Sequence, residues 1–281
     1  MPLDTTTVVA TCTRDCPSAC GLLAHVEGDR VVRLTGNPEH PVNQGTLCRK
    51  VPAFLRRFYS PERVKTPLRR RNGAWVPVSW KEALDEMADR LKACVAEYGP
   101  ESILYYMGFG ERTALKILNA RFFAHLGGVT TLTGTLCGGT GYAAQSLDFG
   151  PRVSHDPSDL CHARTIILWG RNPVATQFGL MPHLRAAATR GAQIILIDPR
   201  QSESAALANW HIRPRPGRDA FLALATAKRI LENGWEDREF LERHCDGLEA
   251  FTALVDRFSF DDLSRACDVD GAAIDRLARA Y

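Results

Sequence analysis

Four cysteines near the N-terminus constrain this chain more than any other feature. Cys12, Cys16, Cys20 and Cys48 follow the spacing C-x3-C-x3-C-x27-C. Three thiols on a short loop and a fourth from a distant segment suit a cubane iron–sulfur cluster, because each corner iron takes one thiolate. Zinc sites usually pair their cysteines in two short groups, which this arrangement lacks. The spacing favours a cluster, with structural zinc and unligated thiols as the alternatives.

The cysteine count and the charge balance bound the class of protein. Nine cysteines, an odd number, argue against a full disulfide framework and favour a reducing compartment. A net charge of +3 is too small to indicate nucleic acid or a membrane surface as a partner. A hydrophobic content of 45% and a charged content of 24% are ordinary for a soluble globular protein. We therefore expect no nucleic-acid partner.

The N-terminal residues and the hydropathy pattern predict a cytoplasmic location. Residues 1–11 contain no basic stretch followed by an apolar segment, so no secretory signal is expected. No apolar run approaches the length of a bilayer span, so no membrane span is expected. With 281 residues, the chain is long enough for about two domains.

Residues 1–60 are predicted to form a small β-rich domain. Apolar runs at 22–26 and 31–34 flank the turn sequence EGDR at 27–30, and a Gly-Asp pair between such runs predicts a hairpin. The cysteine loop leads into the first of these strands, and Cys48 follows the second. The hairpin is therefore expected to bring the loop and Cys48 together.

Residues 61–281 alternate helical and strand patterns, which predicts an open, mostly parallel α/β sheet with helices on both faces. Ser79 with Glu82 three residues later is a capping box that begins a helix. Short apolar runs at 165–169 and 193–197, separated by a helical stretch, predict a βαβ unit with buried strands. The other predicted segments are a buried strand at 103–107, a strand at 129–132 and helices at 113–126, 178–190, 219–232 and 270–281.

Ligands of open α/β sheets bind beyond the carboxyl ends of the strands, and three segments are predicted to lie there. They are the glycine-rich stretch at 134–141, the segment 169–173 and the segment 198–200. Small residues let the backbone approach a phosphate, and an arginine can hold one through two hydrogen bonds. Gly217 and Asp219 form another turn at the start of a helix. Ordinary turns and helix caps produce each of these signals too.

Cys137 lies within the glycine-rich stretch and has two interpretations. A cysteine in a strand-end loop near a helix N-terminus can be a reactive thiolate, either as a nucleophile or as a ligand for a soft metal. A small buried core residue is the commonest fate of a cysteine outside a disulfide. Both interpretations stay open from the sequence pattern.

Six segments, taken together and in order, carry a family resemblance. They are CTRDCPSACG at 12–21, GTLCRK at 45–50, SPERVKTPL at 60–68, SWKEALDEMADRL at 79–91, LWGRNP at 168–173 and IDPRQSESA at 197–205. With them the chain resembles the N-terminal part of the molybdopterin oxidoreductases, which include DMSO reductases, nitrate reductases and formate dehydrogenases. The resemblance extends over essentially all 281 residues.

The resemblance implies two cofactors and a role for particular residues. It implies a [4Fe-4S] cluster on the four N-terminal cysteines, and it assigns Lys50 to electron transfer between cluster and pterin. It also implies molybdenum, or sometimes tungsten, between two molybdopterin guanine dinucleotides, with Cys137 where relatives place a ligand of the metal. The residues in segments that contact one dinucleotide are Gly170, Asn172, Asp198, Arg200, Gly217 and Asp219.

The resemblance also implies an organisation and a function. We expect a [4Fe-4S] domain at 1–60 and an incomplete dinucleotide-binding domain at 61–281, because relatives are much longer. The expected function is electron transfer between a molybdenum centre and the cluster in an oxidoreductase, with a small-molecule substrate and a redox partner protein or subunit. The alternatives are a non-catalytic electron-transfer or assembly subunit and a zinc-stabilised α/β binding protein.

Overall fold

The computed structural model describes residues 5–107, 115–151 and 154–281, and the chain divides into two compact units. The first unit contains Met1–Ala19, Leu23–Leu34 and Arg49–His155. The second unit contains Cys20–Leu22, Thr35–Cys48 and Asp156–Tyr281. These units do not follow the predicted boundary at residue 60, since two N-terminal segments have most of their contacts within the second unit. The domains at 1–60 and 61–281 stay a prediction.

Three strands near the N-terminus form one sheet in the order β1-β2-β3. They are β1 (Thr5–Thr11), β2 (Gly21–Glu27) and β3 (Arg30–Gly36). The hairpin predicted between the last two is confirmed, and its turn begins at Gly28 with a φ of +61°. Residues with a side chain rarely adopt that conformation, which explains the glycine. A short helix, α1 (Ala53–Phe58), follows.

The rest of the first unit alternates short strands with helices. In chain order these are β4 (Leu68–Arg71), β5 (Ala74–Pro77), α2 (Trp80–Tyr98), β6 (Leu104–Tyr105), α3 (Lys116–His125), β7 (Thr130–Thr131) and α4 (Gly139–Phe149). Strands β4 and β5 pair antiparallel, whereas β6 and β7 pair parallel. The predicted helix at 113–126 corresponds to α3, and its first two residues lie outside the described part of the chain.

Two sequence predictions in this region have different outcomes. The capping box is confirmed, because Ser79 Oγ accepts from the backbone N–H of Glu82 at 3.2 Å and Glu82 Oε2 accepts from that of Ser79 at 2.8 Å. The strand predicted at 103–107 exists as β6, but its predicted burial is wrong. Leu104 is 56% exposed, since the described residues of the first unit do not cover this strand.

The second unit contains a parallel sheet and its helices. In chain order they are β8 (Thr165–Trp169), α5 (Pro173–Thr176), α6 (Met181–Thr189), β9 (Gln193–Ile197), β10 (Trp210–Ile212), α7 (Asp219–Glu232), α8 (Arg238–His244), α9 (Leu248–Asp256), α10 (Phe260–Cys267) and α11 (Gly271–Ala280). The strand order is β10-β9-β8, and both pairs run parallel. The predicted βαβ unit is confirmed as β8, α6 and β9.

Helices cover both faces of this sheet, as the sequence pattern predicts. On one face, Ile194 and Leu196 pack in a buried cluster with Leu184 of α6. On the other face, Ile195 and Ile197 pack with buried residues of α7, α10 and α11. Complete burial of each such side chain contributes about 2 kcal/mol to stability, so β9 is the centre of the core.

The mixed α/β class is confirmed, although the parallel strands do not form one sheet. In the described residues, β6 and β7 make a two-stranded sheet, separate from the three strands of the second unit. Among those residues, no helix has both the length and the apolar character needed to cross a lipid bilayer.

Candidate functional site

The carboxyl edge of the sheet β8–β10 gathers segments that the sequence marks as ligand-facing. All three strands run parallel, so their carboxyl ends lie on one side of the sheet. The N–H of Gly170 donates to the carbonyl of Ile197 at 2.7 Å, and the N–H of Asp198 donates to the carbonyl of Ile212 at 3.1 Å. Backbone pairing therefore places Gly170 and Asp198 beside the ends of neighbouring strands.

Asn172 is held in place by two partners from the segment that follows β9. Its Nδ2 donates to Glu203 Oε2 at 2.7 Å, and its Oδ1 accepts from Ser204 Oγ at 2.7 Å. Arg200 Nη2 lies 3.7 Å from the same Glu203 carboxylate oxygen. Glu203 and Ser204 were not predicted as site residues, although both belong to the IDPRQSESA segment. They fix the side-chain amide of Asn172 and tie the ends of β8 and β9 together.

Asp198 and Arg200 form a tight turn directly after β9. The carboxylate of Asp198 accepts from the backbone N–H of Arg200 at 2.8 Å, and the carbonyl of Asp198 accepts from His211 Nε2 at 2.8 Å. The guanidinium of Arg213, one residue beyond β10, donates to the carbonyl of Pro199 at 3.2 Å. These bonds leave the side chain of Arg200 exposed at the edge, where it can meet an anion.

Two glycines leave the backbone of this edge open to a ligand. Gly170 has a φ of +57° and Gly217 a φ of +74°, which explains why both are glycine. At each, a Cβ would have no atom within 4 Å, so the backbone faces open space. Asp219 begins α7 and accepts from the indole N–H of Trp169 at 2.8 Å, which fixes its carboxylate near the end of β8.

The edge is rich in cations. Arg200 follows β9, and exposed arginines also follow the other two strands: Arg171 after β8, and Arg213, Arg215 and Arg218 after β10. Guanidinium groups bind phosphate oxygens in pairs, and glycines without neighbouring side chains let phosphates approach the backbone. The arrangement therefore suits a phosphate-containing ligand. The six predicted dinucleotide residues all belong to this one edge, and their contact with a dinucleotide stays a prediction.

Cys137 and Lys50 belong to the first unit. Cys137 is exposed and precedes helix α4, and its backbone N–H donates to Thr135 Oγ1 at 3.1 Å. Its exposure does not support the alternative of a small buried core residue. Lys50 is also exposed, two residues after Cys48. The roles of Cys137 as a metal ligand and of Lys50 in electron transfer stay predictions.

The chemistry of the four N-terminal cysteines fits a cluster. All nine cysteines of the chain are thiols and not disulfides, and the four N-terminal ones are only partly exposed. Cys16 opens a turn in which its carbonyl accepts from the N–H of Ala19 at 3.2 Å. Over the described ranges, however, no three side chains of His, Cys, Asp or Glu lie close enough together to hold a metal ion. The ligand assignment of these cysteines therefore stays a prediction.

One pKa shift distinguishes a structural cysteine from the others. Cys267 is buried in the core against α7, and this burial raises the pKa of its thiol. A neutral thiol in an apolar core behaves as a small hydrophobic group. Cys267 is therefore a core residue of the second unit.

Two family models match consecutive parts of the chain. Residues 5–60 match the family described as molybdopterin oxidoreductase Fe4S4 domain. Residues 63–259 match the family described as molybdopterin oxidoreductase. The two matches together extend over most of the chain, including the cysteine loop and the sheet β8–β10.

Individual relatives are similar along nearly the whole chain. The probable oxidoreductase YyaE of Bacillus subtilis is 33% identical over 270 residues, which are 96% of this chain and 40% of that protein. The probable dimethyl sulfoxide reductase chain YnfF of Escherichia coli is 30% identical over 89% of this chain and 33% of its own length. Acetylene hydratase from Pelobacter acetylenicus superposes with a TM-score of 0.81 and 26% identity, over 96% of this chain and 38% of the hydratase.

The chain thus spans 40% of the length of YyaE and 33% of the length of YnfF, which is less than half of either relative. The resemblance stated from the six sequence segments is confirmed by both family matches. The chain belongs to the molybdopterin oxidoreductase family, whose domains carry a [4Fe-4S] cluster and a molybdopterin cofactor with molybdenum or tungsten.

Proposed function

We propose that this chain supplies the cluster domain and one dinucleotide-binding edge of a molybdenum- or tungsten-dependent oxidoreductase. One observation carries the proposal. The match at 5–60 contains the loop of cysteines, and the match at 63–259 of the same chain contains a sheet edge that suits a phosphate-containing ligand. In this proposal Cys12, Cys16, Cys20 and Cys48 hold the cluster. A small-molecule substrate and a redox partner protein or subunit complete the function, and the proposed location is the cytoplasm.

The residues of the sheet edge bind and orient one dinucleotide in this proposal. Arg200 neutralises phosphate charge, and Gly170 and Gly217 let phosphates approach the backbone. Asp198 and Asp219 accept hydrogen bonds from the base or ribose, and Asn172 is oriented for ligand contact by Glu203 and Ser204. These groups bind and position the cofactor, and none of them has to gain or lose a proton.

The cofactors supply the redox chemistry: two-electron substrate chemistry at the metal and one-electron transfer through the cluster. Lys50 is proposed to lie beside the electron path, where its positive charge favours the reduced, more anionic state of the cluster. Cys137 is proposed as a ligand of the metal. An exposed thiol suits that role, because it is accessible to a soft metal that a thiol ligand can bind.

The cluster is tested by counting iron and sulfide in anaerobically purified protein and by its visible absorption at roughly 400 nm, typical of iron–thiolate charge transfer. The variant Cys16→Ser removes one corner ligand and is expected to lose most of the colour and iron. The matched control Cys94→Ser changes an exposed cysteine outside the loop and is expected to keep both. Wild-type protein that holds zinc and no iron would refute the proposal.

The dinucleotide edge is tested by two arginine variants. Arg200→Ala is expected to lower the molybdopterin content of protein isolated from its native host and to weaken its binding of GDP, used as a probe. Arg190→Ala is the matched control. Arg190 is exposed at the end of α6, just before β9 begins, so it lies toward the amino edge of the sheet and away from the carboxyl edge that carries Arg200. Equal cofactor content in both variants would remove Arg200 from the site.

A further inference from the structure

A buried asparagine in the second unit connects the backbone beside two of the proposed cluster ligands. Asn43 is 0% exposed. Its Oδ1 accepts from the N–H of Gly21 at 2.9 Å, and its Nδ2 donates to the carbonyls of Gly21 at 3.2 Å and Thr46 at 2.9 Å. Gly21 directly follows Cys20, and Thr46 precedes Cys48 by two residues. One side-chain amide thus joins the two cysteine-bearing segments.

The turn around Asn43 is fixed by close packing. His40 Nδ1 accepts from the N–H of Val42 at 3.3 Å and from that of Asn43 at 3.4 Å. The ring of His40 lies so near Gly21 that a Cβ there would be 2.6 Å from His40 Cδ2. Since only glycine fits against this ring, Gly21 can approach Asn43 closely enough for both hydrogen bonds.

The same turn is anchored to the βαβ core by a second buried side chain. His183 of α6 is 4% exposed, and its Nε2 donates to the carbonyl of Val42 at 3.1 Å. Helix α6 packs on β8 and β9, whose carboxyl ends carry the proposed dinucleotide residues. The segment 35–48 and the sheet therefore belong to one compact unit, with the Val42 carbonyl as a hydrogen-bonded link between them.

We propose that Asn43 is a positioning residue for the iron–sulfur cluster: it sets the separation of Cys20 and Cys48, while His183 anchors its turn to the cofactor-binding sheet. This inference rests on the proposed function, because it takes both cysteines as ligands. The reduction potential and stability of a cluster depend on the orientation of its ligands and on hydrogen bonds and solvent access around them. A rigid amide link between the two ligand segments acts on the first of these, because it fixes the backbone from which the two thiolates extend.

A purely structural role for Asn43 predicts something different. An amide that only stabilises the fold would change the unfolding midpoint, but the spectrum and potential of the bound cluster would stay unchanged. A positioning role also changes the cluster itself, because the thiolates shift when the link is altered. Electron paramagnetic resonance and potentiometry of the reduced cluster therefore separate the two roles.

The test compares Asn43→Asp with Asn37→Asp in the 281-residue chain, loaded anaerobically with its cluster. Both changes are isosteric and lie in the same loop. Within the described residues, the side chain of Asn37 accepts only from the nearby N–H of Glu39, at 3.0 Å, whereas Asn43→Asp loses the donor to the carbonyls of Gly21 and Thr46. We expect Asn43→Asp to shift the resonance spectrum and lower the midpoint potential. It should also lose iron to a chelator at least tenfold faster than Asn37→Asp, because it loses two hydrogen bonds and one alone corresponds to a factor of about ten.

The outcomes distinguish this inference from the proposed function. Wild-type chain that takes up no cluster contradicts the proposed function. Wild type that loads, together with identical spectra, potentials and chelator rates in both aspartate variants, overturns the role of Asn43. If circular dichroism shows that Asn43→Asp does not fold, Asn43→Ala against Asn37→Ala decides by the same measurements, without the added charge.

Discussion

The sheet β8–β10 and the strand pair β6–β7 have similar parallel strands but differ in what covers them. In β9 of the second unit, the residues from Ile194 to Ile197 are buried by helices on both faces. In the first unit, none of the described residues between 61 and 151 is buried. Several of its large apolar side chains are exposed instead, and examples are Leu104, Ile117, Leu147 and Phe149.

The comparison shows that helix formation and burial of the apolar face are separate outcomes, although apolar periodicity is often taken to indicate both. A capped amphipathic segment forms a helix from local signals, as α2 does after Ser79. Burial of its apolar face needs a second layer of structure, and Leu84 and Met87 on that helix remain exposed. The second unit supplies such layers within its own residues, whereas the described part of the first unit does not.

The largest expected contrast is in amide hydrogen exchange. Amides of β9 should exchange only on global unfolding, because its strand lies between two covered faces. Amides of β6 and α2 should exchange through local opening, which costs little where no core is disrupted. We expect rates that differ by at least roughly a thousandfold, measured by mass spectrometry of peptic fragments. Equal protection in the two regions would show that the first unit is covered in solution.

Matched leucine truncations sharpen the same contrast. Leu222 in α7 is 0% exposed and Leu147 in α4 is 86% exposed. Leu222→Ala should lower the free energy of unfolding by about 3 kcal/mol, because it removes buried apolar area and leaves a cavity. Leu147→Ala should change it by less than about 0.5 kcal/mol. Urea unfolding followed by circular dichroism measures both, and a comparable loss in the two variants would contradict the comparison.

The local parts of this fold could be predicted from the sequence. The strands at 165–169 and 193–197 and the helix at 219–232 have the same bounds in the structure. Continuous apolar runs between turn residues, and helical spacing, are signals within one segment. For the same reason, the carboxyl-edge position of Gly170 and Asp198 followed once the strands were taken as parallel.

The parts that depend on distant segments could not be predicted in this way. Strand β10 has only three residues, and it exists because Trp210 to Ile212 pairs with β9. The partners of Asn172 lie 31 and 32 residues further along the chain. The contacts of Asn43 with Gly21 join residues 22 apart. Neither composition nor periodicity contains these pairings, because they arise only when the segments meet.

The serines that cap α2 and α10 allow the two units to be compared through a smaller change in stability. Ser79 caps α2 in the first unit, and Ser259 caps α10 in the second, where its hydroxyl accepts from the N–H of Asp262 at 3.1 Å. Ser259→Ala should lower the free energy of global unfolding by about 1 kcal/mol, since α10 packs in the core. Ser79→Ala should lower it less and instead speed exchange within α2. If both variants lose the same free energy of unfolding in urea, α2 unfolds together with the core.

The smallest expected effect is a difference in the pH dependence of these two caps. The pKa of Asp262 is lowered chiefly by the hydrogen bond from the Ser259 hydroxyl and further by Arg265. A pKa that is lower in the folded state gives stability that is present above the usual carboxylate range and is lost as the pH falls through the folded value. Ser259→Ala removes the main cause, so its stability deficit should shrink on acidification.

The pKa of Glu82 depends more on a backbone group than on the hydroxyl of its cap, so Ser79→Ala should behave differently with pH. Its pKa is lowered chiefly by the hydrogen bond from the backbone N–H of Ser79, which an alanine at that position keeps. The pH-dependent contribution of Glu82 should therefore largely survive in Ser79→Ala, and the deficit of that variant should change less with pH. Thermal unfolding of wild type and both variants, from neutral pH to below the usual carboxylate range, measures this. If the loss of stability in Ser259→Ala stays constant over that range, the Asp262 carboxylate is stabilised by Arg265 and not by the Ser259 hydroxyl.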